Sequence, residues 1–288
     1  MLHRAALRRR NFTGLLAALA SGAGPLPLAR AAGALPIFDA HVHYSHDAWD
    51  LVPPKQAIAI LRQAGLRGAL VSSSGDDGQQ RLVAEAPDLI VPELRPYRSR
   101  SDTGTWVRDD TVPRYLEERL AKYRYAGIGE FHLFGADADL PVPKRMVALA
   151  RERGLLLHAH SDIDAVERLL RQWPQARVLW AHSGFEPPQA VSSVLRRHPR
   201  LWCDLAYRTD HARGDQLEPA WREAFDEFPE RFMLGSDTFT PERWHYIGNH
   251  ASDARAWLAR LPTPLSERVA WRNADKLLKG WASAQPRT

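Results

Sequence analysis

Cysteine occurs once in the 288 residues, at Cys203. A lone cysteine excludes an internal disulfide framework, so packing or a metal must hold the chain. Long apolar runs are missing as well. The run at residues 15–20 falls far short of the roughly 20 residues that span a bilayer, which argues against a stable membrane anchor. No Gly-x-Gly-x-x-Gly and no Gly-x-x-x-x-Gly-Lys-Ser/Thr occurs, so the glycine-rich phosphate cradles of nucleotide-binding sheets are absent. Internal repeats and low-complexity segments are absent too. Acidic residues are missing from the first 31 positions, which hold Arg4, Arg8, Arg9, Arg10 and Arg30.

That basic start, the apolar run after it and Ala29-Arg30-Ala31 follow the order of a secretory signal peptide. Arg9-Arg10-Asn11-Phe12 adds a twin-arginine signal, the export route for folded cargo. The expectation is a cleaved leader over residues 1–31, one domain over residues 32–288, and a periplasmic or secreted protein. Five of the 39 basic side chains and none of the 34 acidic ones lie in the leader, so the remainder balances at 34 of each. A neutral surface offers little to a phosphate backbone, and no nucleic-acid partner is expected.

Eight short apolar runs follow, at residues 36–43, 67–73, 89–94, 126–133, 155–160, 177–182, 200–205 and 231–236. Each is rich in β-branched, leucine or aromatic residues and ends in polar or turn residues, as strands do. Between them lie helical patterns. Residues 141–153 open on prolines and stop at Gly154, and residues 162–172 set Ile163, Val166, Leu169 and Leu170 on one stripe. Residues 187–197, 219–225 and 251–261 read as helices, and 266–279 as a closing helix. Residues 75–80 and 99–108 read as loops after the second and third strands. Strand–helix alternation in one unit of this length predicts an α/β protein, a single (β/α)8 TIM barrel, over an open doubly wound sheet.

Barrel enzymes place their sites at the C-terminal strand ends, and the polar residues gather there. Alternation puts Asp39, His41 and His43 on one face of the first strand, Glu130 and His132 on one face of the fourth, and His158 and His160 on one face of the fifth. His182 ends the sixth strand and Asp237 follows the eighth. Such groups are costly to bury unless paired or bound to a metal. Two histidines two apart on a strand can clamp one ion.

This order of residues resembles the amidohydrolase superfamily over essentially the whole domain. Phe38-Asp39-Ala40-His41-Val42-His43 looks like its opening motif, and Gly127-Ile128-Gly129-Glu130 resembles the fourth-strand motif of its deoxyribonuclease-like branch. The resemblance implies a divalent metal held by His41, His43, Glu130, His158, His182 and Asp237. Asp237 then serves as the base, with His182 a ligand or a catalytic group. His158 is preferred over His160 as the fifth-strand ligand. Zinc suits the donors, with manganese or iron as alternatives, and one or two ions fit. No fourth-strand lysine is present, and Glu130 stands there instead. Asp39, His132, His160 and Asp204 support the site or touch substrate. Arg95 and Arg208, after the third and seventh strands, either hold a substrate carboxylate or are solvated surface groups. The expected reaction is hydrolysis of an amide, lactone or ester in a small molecule. Non-oxidative decarboxylation of an aromatic or enol acid, an inactive periplasmic metal-binding domain, and nuclease action are the alternatives.

Overall fold

The computed structural model of the protein describes residues 34–282, so the leader read from residues 1–31 lies outside the described residues. Besides a short antiparallel hairpin of Ala212–Arg213 with Gln216–Leu217, eight strands are present: β1 (Ile37–His43), β2 (Leu66–Ser72), β3 (Ile90–Leu94), β4 (Gly127–Leu133), β5 (Leu156–Ser161), β6 (Val178–Trp180), β7 (Leu201–Asp204) and β8 (Phe232–Met233). Each of the eight pairs in parallel with the next. The eighth returns to the first: Ala40 N donates to Leu234 O, and Asp237 N to His41 O, both at 2.8 Å. The fold is a single (β/α)8 barrel, as the alternation of runs predicts.

Eight helices cover the outside: α1 (Pro54–Gln63), α2 (Asp77–Glu85), α3 (Val112–Lys122), α4 (Pro141–Arg153), α5 (Ile163–Gln172), α6 (Pro188–Arg197), α7 (Pro219–Glu227) and α8 (Ile247–Leu258). Helix α4 stops at Gly154, whose φ of 65° is the left-handed cap a glycine supplies without strain. Helix α5 starts where the Asp162 carboxylate accepts the Ala165 N–H at 2.8 Å. Helix α2 corrects the expected loop at residues 75–80. Its Gln79, and Asp76 just before it, are buried polar groups that the interior meets with partners. Gln79 donates to Glu93 O at 2.9 Å, and Asp76, just before the helix, accepts from Tyr125 Oη at 2.6 Å.

Apolar residues sort into two clusters. One fills the shell between barrel and helices, including Ile37, Val71, Ile128, Leu157, Val178 and Phe232. The other fills the lower barrel with Phe38, Ala40, Leu70, Leu156, Leu179 and Met233, plugged by Leu277 and Leu278 from the closing helices. β1 carries a bulge. Asp39 pairs with Ala69 and Val42 with Val71, so three steps on β1 face two on β2. One extra residue switches faces. Asp39 therefore points outward with Ile37, into a cavity walled by Ile247, Ala251 and Trp257 of α8. This overturns the expectation that it shares a face with His41 and His43.

Strands β6 and β8 end sooner than their apolar runs suggest. Past them the backbone turns left-handed at His182 (φ 55°), Ser183 (50°), Gly184 (64°), Phe185 (56°) and Asp237 (52°). Residues other than glycine rarely adopt such angles, and each costs about 1–3 kcal/mol that contacts with neighbours must offset. Here they do: His182 N and Ser183 Oγ donate to Asp204 at 2.8 and 2.9 Å.

Candidate active site

Three histidines converge above the inner apolar plug. His41 and His43 come from β1, and His182 from the turn after β6. In each ring Nδ1 is anchored to an oxygen: His41 to Asp204 Oδ2 at 3.2 Å, His43 to Ser72 Oγ at 3.0 Å, His182 to Ala206 O at 2.7 Å. A carbonyl or carboxylate partner only accepts, so Nδ1 of His41 and His182 carries a proton, and Nε2 is the nitrogen left to bind a metal or, without one, a second proton. For His41 burial opposes that charge, but Asp204 and Glu130 outweigh it and raise the pKa well above its usual value. The Nε2 atoms face inward. His41 Nε2 and His43 Nε2 lie 3.1 Å apart. Two carboxylates meet them. Asp237 Oδ1 is 3.3 Å from His43 Nε2 and 3.8 Å from His41 Nε2. Glu130 lies 3.3 Å from His43 Nε2, 3.7 Å from His41 Nε2 and 3.6 Å from His182 Nε2. All five side chains are buried.

The His41 and His43 Nε2 atoms at 3.1 Å would repel as two lone pairs, so a proton or a metal cation must lie between them. The sets His41–His43–Asp237 and His41–Glu130–His182 each bring their donor atoms within 4.8 Å of one another. Imidazole and carboxylate donors in this number suit a divalent metal.

His158 and His160 separate by depth. His160 faces the cluster, with Nδ1 2.8 Å from Glu130 Oε1. His158 lies one layer down and has no open nitrogen: Nδ1 is 2.8 Å from Glu93 Oε2, and Nε2 is 3.1 Å from Asp204 Oδ2. Burial disfavours the charged ring, but Glu93 and Asp204 outweigh it and lift the pKa to about 9. His41, His158 and Asp204 bring their donor atoms within 4.8 Å of one another, so His158 belongs to a candidate ligand set one layer below the cluster, while His160 stands beside Glu130 at the cavity floor.

The other expected groups fall around this core. Asp39 Oδ1 accepts His41 N at 3.1 Å and Ser236 N at 3.0 Å, tying β1 to the chain after β8. His132 stacks on His160, with ring centroids 4.2 Å apart, and accepts from Tyr97 Oη at Nδ1, 3.0 Å away. Burial drives its pKa down to about 3, so it is neutral. Arg95 is buried beside the cluster, donating to Glu130 O at 2.8 Å and Glu130 Oε2 at 3.0 Å. Arg208 lies away from the cluster, where it grips Asp210 at 2.9 and 2.6 Å and the His182 carbonyl at 2.9 Å. Neither arginine is a solvated surface group, and both face a carboxylate of the protein. Trp244 packs on Tyr44 and donates to His43 O at 3.1 Å.

Glu93 escaped the sequence reading, although a charged residue inside the run Ile90-Val91-Pro92-Glu93-Leu94 was a signal. Ser72 carried none. Of the remaining described histidines, His46, His245 and His250 are exposed and His198 and His211 are half-buried. The cluster floors an open cavity of about 390 Å³ whose walls include Ser45, Ser74, Arg100, Phe185, Tyr207 and Phe239.

Known proteins share this architecture. An uncharacterised TIM-barrel protein from Bordetella bronchiseptica aligns at 14% identity and a TM-score of 0.56, over 85% of this chain and 99% of that one. A TatD homologue from Escherichia coli K12 aligns at 17% identity and 0.57, over 84% and 98%. A probable 2-pyrone-4,6-dicarboxylic acid hydrolase from Acinetobacter baumannii, solved with citric acid, aligns at 13% and 0.51, over 84% and 99%. Such identities speak for the fold alone. Among curated proteins none matches. The sequence model described as amidohydrolase matches residues 38–280, which takes in every strand after the first residue of β1 and all of the converging side chains. The chain belongs to the amidohydrolase family.

Proposed function

We propose that the protein is a metal-dependent hydrolase that cleaves an amide, lactone or ester bond in a small molecule. One observation carries this reading: His41, His43 and His182 are anchored at Nδ1 and turn Nε2 toward the Glu130 and Asp237 carboxylates at the floor of an open cavity. His41, His43, Glu130, His182 and Asp237 would hold the metal, zinc first among the candidates, with His160 at its edge. His158 and Asp204 lie beneath, away from the cavity, where no substrate reaches. When bound, such a metal lowers the pKa of a water from 15.7 toward about 7. Asp237 is ionised at neutral pH: burial opposes the charge, but His43 and His41 hold its carboxyl down to about 2. It is the group placed to take the water's proton and pass it to the leaving group. His182 donates its Nδ1 proton to Ala206 O, which leaves Nε2 facing the cluster to bind the metal or to polarise the substrate carbonyl.

Decarboxylation of an organic acid draws less support, because Arg95 faces Glu130 and Arg208 faces Asp210. The family membership weighs toward an enzyme over an inactive binding domain. Residues 1–31 are proposed as a twin-arginine export leader, which N-terminal sequencing of the exported protein would check. No helix among the described residues is long and apolar enough to cross a membrane.

Metal analysis of the purified protein, followed by chelation and an assay panel of small esters, lactones and amides, tests the activity. Stoichiometric metal, lost together with turnover on chelation and in His41→Ala/His43→Ala, is expected. Full turnover by verified metal-free protein would sink the proposal.

A further inference from the structure

Six large apolar side chains stand exposed among the described residues: Leu51, Phe134, Phe185, Tyr207, Phe239 and Tyr246. Burying such groups is the default, so their placement is informative. Three of them, Phe185, Tyr207 and Phe239, line the cavity above the cluster. They come from the separate loops after β6, β7 and β8, yet form one continuous wall. Phe185 lies flat on His182 with centroids 4.6 Å apart and an interplanar angle of 13°. It meets Tyr207 edge-on at 6.4 Å, and Tyr207 meets Phe239 edge-on at 5.5 Å. The wall is built at a conformational cost. Phe185 and Tyr207 both sit at positive φ, 56° and 57°, where aromatic residues rarely go. Backbone held this way clusters at ligand sites.

The opposite wall is polar and carries no unmatched charge. Its cations are Arg95, paired with Glu130 at 3.0 Å, and Arg100, paired with Asp47 at 2.7 Å. Arg100 also donates to the Phe239 carbonyl, which ties it to the aromatic wall. Ser45, Ser74 and Thr103 supply hydroxyls. A ligand entering this cavity meets ring faces and edges on one side and hydroxyls on the other.

We infer that the substrate presents a flat, uncharged aromatic group, which stacks against Phe185, Tyr207 and Phe239 while its scissile carbonyl reaches the cluster. The inference rests on the hydrolase reading for the carbonyl but not for the ring. Aromatic rings recognise one another in offset or edge-to-face contact, worth about 0.5–1.5 kcal/mol beyond burial of area. Both guanidiniums that line the cavity already face a protein carboxylate. Arg243, stacked on Tyr207 and Phe239 at 4.8 and 5.3 Å, is outside the lining and donates to the Asp237 and Ser236 carbonyls, so an aromatic acid is disfavoured against its neutral counterpart.

The test separates the ring from the chemistry. Binding of benzamide, cyclohexanecarboxamide and benzoate to metal-free and metal-loaded protein is measured by saturation-transfer NMR titration. Benzamide should bind about five-fold tighter than cyclohexanecarboxamide. It should bind tighter than benzoate on the metal-free protein. Tyr207→Leu and Phe185→Leu should abolish the aromatic preference, while Tyr246→Leu, exposed but outside the cavity, should keep it. Equal binding of the ring and its saturated analogue, tighter benzoate, or leucine variants that retain the preference would overturn the inference. Hydrolysis of benzyl acetate and cyclohexylmethyl acetate, whose leaving alcohols are similar in acidity, by the metal-loaded protein tells the two readings apart. Aromatic-selective binding without turnover of any ester, lactone or amide leaves the ring site standing and removes the hydrolase reading. Turnover with no preference for the benzyl ester, together with unselective binding, does the reverse.

Discussion

Asp204 Oδ2 lies 3.2 Å from His41 Nδ1, and through that contact a residue of β7 aims a ring of β1. The same carboxylate accepts the His182 N–H at 2.8 Å and the Ala206 N–H at 3.0 Å, so it also shapes the turn that delivers His182. Carboxylates behind metal-binding histidines fix the tautomer and raise the basicity of the ligating nitrogen. Asp204→Asn keeps the size but weakens the pull on the His41 proton. Metal affinity should fall about 10- to 100-fold, read by competition with a chromophoric chelator. Unchanged affinity would show that His41 is oriented by packing alone.

Arg95 and Glu130 make a second test. The pair is buried on both sides, and removing one partner of such a pair strands the other's charge. Arg95→Met should cost about 3 kcal/mol in the metal-free protein. Added metal should recover part of that loss, since it offers Glu130 a replacement cation. Urea unfolding with and without metal measures both. A loss that metal leaves untouched would mean that Glu130 does not face the ion.

These groups differ in how far the sequence revealed them. Strand ends were legible within a residue or so because apolar runs stop at His43, His160 and Leu205, where solvent and the site begin. The face of Asp39 was not, because the β1 bulge that turns it outward leaves no trace in composition. His158 and His160 share a face, so alternation could not rank them. What separates them is depth along the barrel axis, and Glu93 and Asp204 reach only the lower ring. Helix α2 was hidden by its own polarity. Its Gln79 and the preceding Asp76 are satisfied by partners far away in the chain, a fact of tertiary structure. The aromatic wall needed three loops brought together.

Gly184 offers a local test of the turn that carries His182. Its φ is 64°, and a methyl group at its Cα would press into the Trp180 indole. That ring is buried and donates Nε1–H to Ser161 O at 2.6 Å, so it cannot step aside cheaply. Gly184→Ala should lower stability by about 2 kcal/mol or more through strain and overpacking. It should also lower metal content, because His182 two residues earlier moves with the turn. A stable variant with full metal content would show that the turn tolerates a side chain.

His211 makes folding depend on pH far from the metal ligands. Its ring meets Trp257 edge-on at 5.2 Å, and Nδ1 has no hydrogen-bond partner among the described residues. Burial pushes its pKa from 6.5 down to about 4, with Asp210 opposing and Arg208 adding to the shift. Between those values the unfolded chain takes up a proton that the folded protein refuses. Stability is therefore full above pH 6.5 and falls as the pH drops toward 4, by at most about 3 kcal/mol from this group. His211→Phe keeps a ring against Trp257 and cannot titrate. Its unfolding free energy should decline less steeply than that of the parent between pH 6.5 and pH 4.5, with the gap widening as the pH falls. Urea midpoints across that range decide the matter. Parallel profiles for the two proteins would mean that His211 charges in place, and that the cavity beside it admits enough water to solvate the proton.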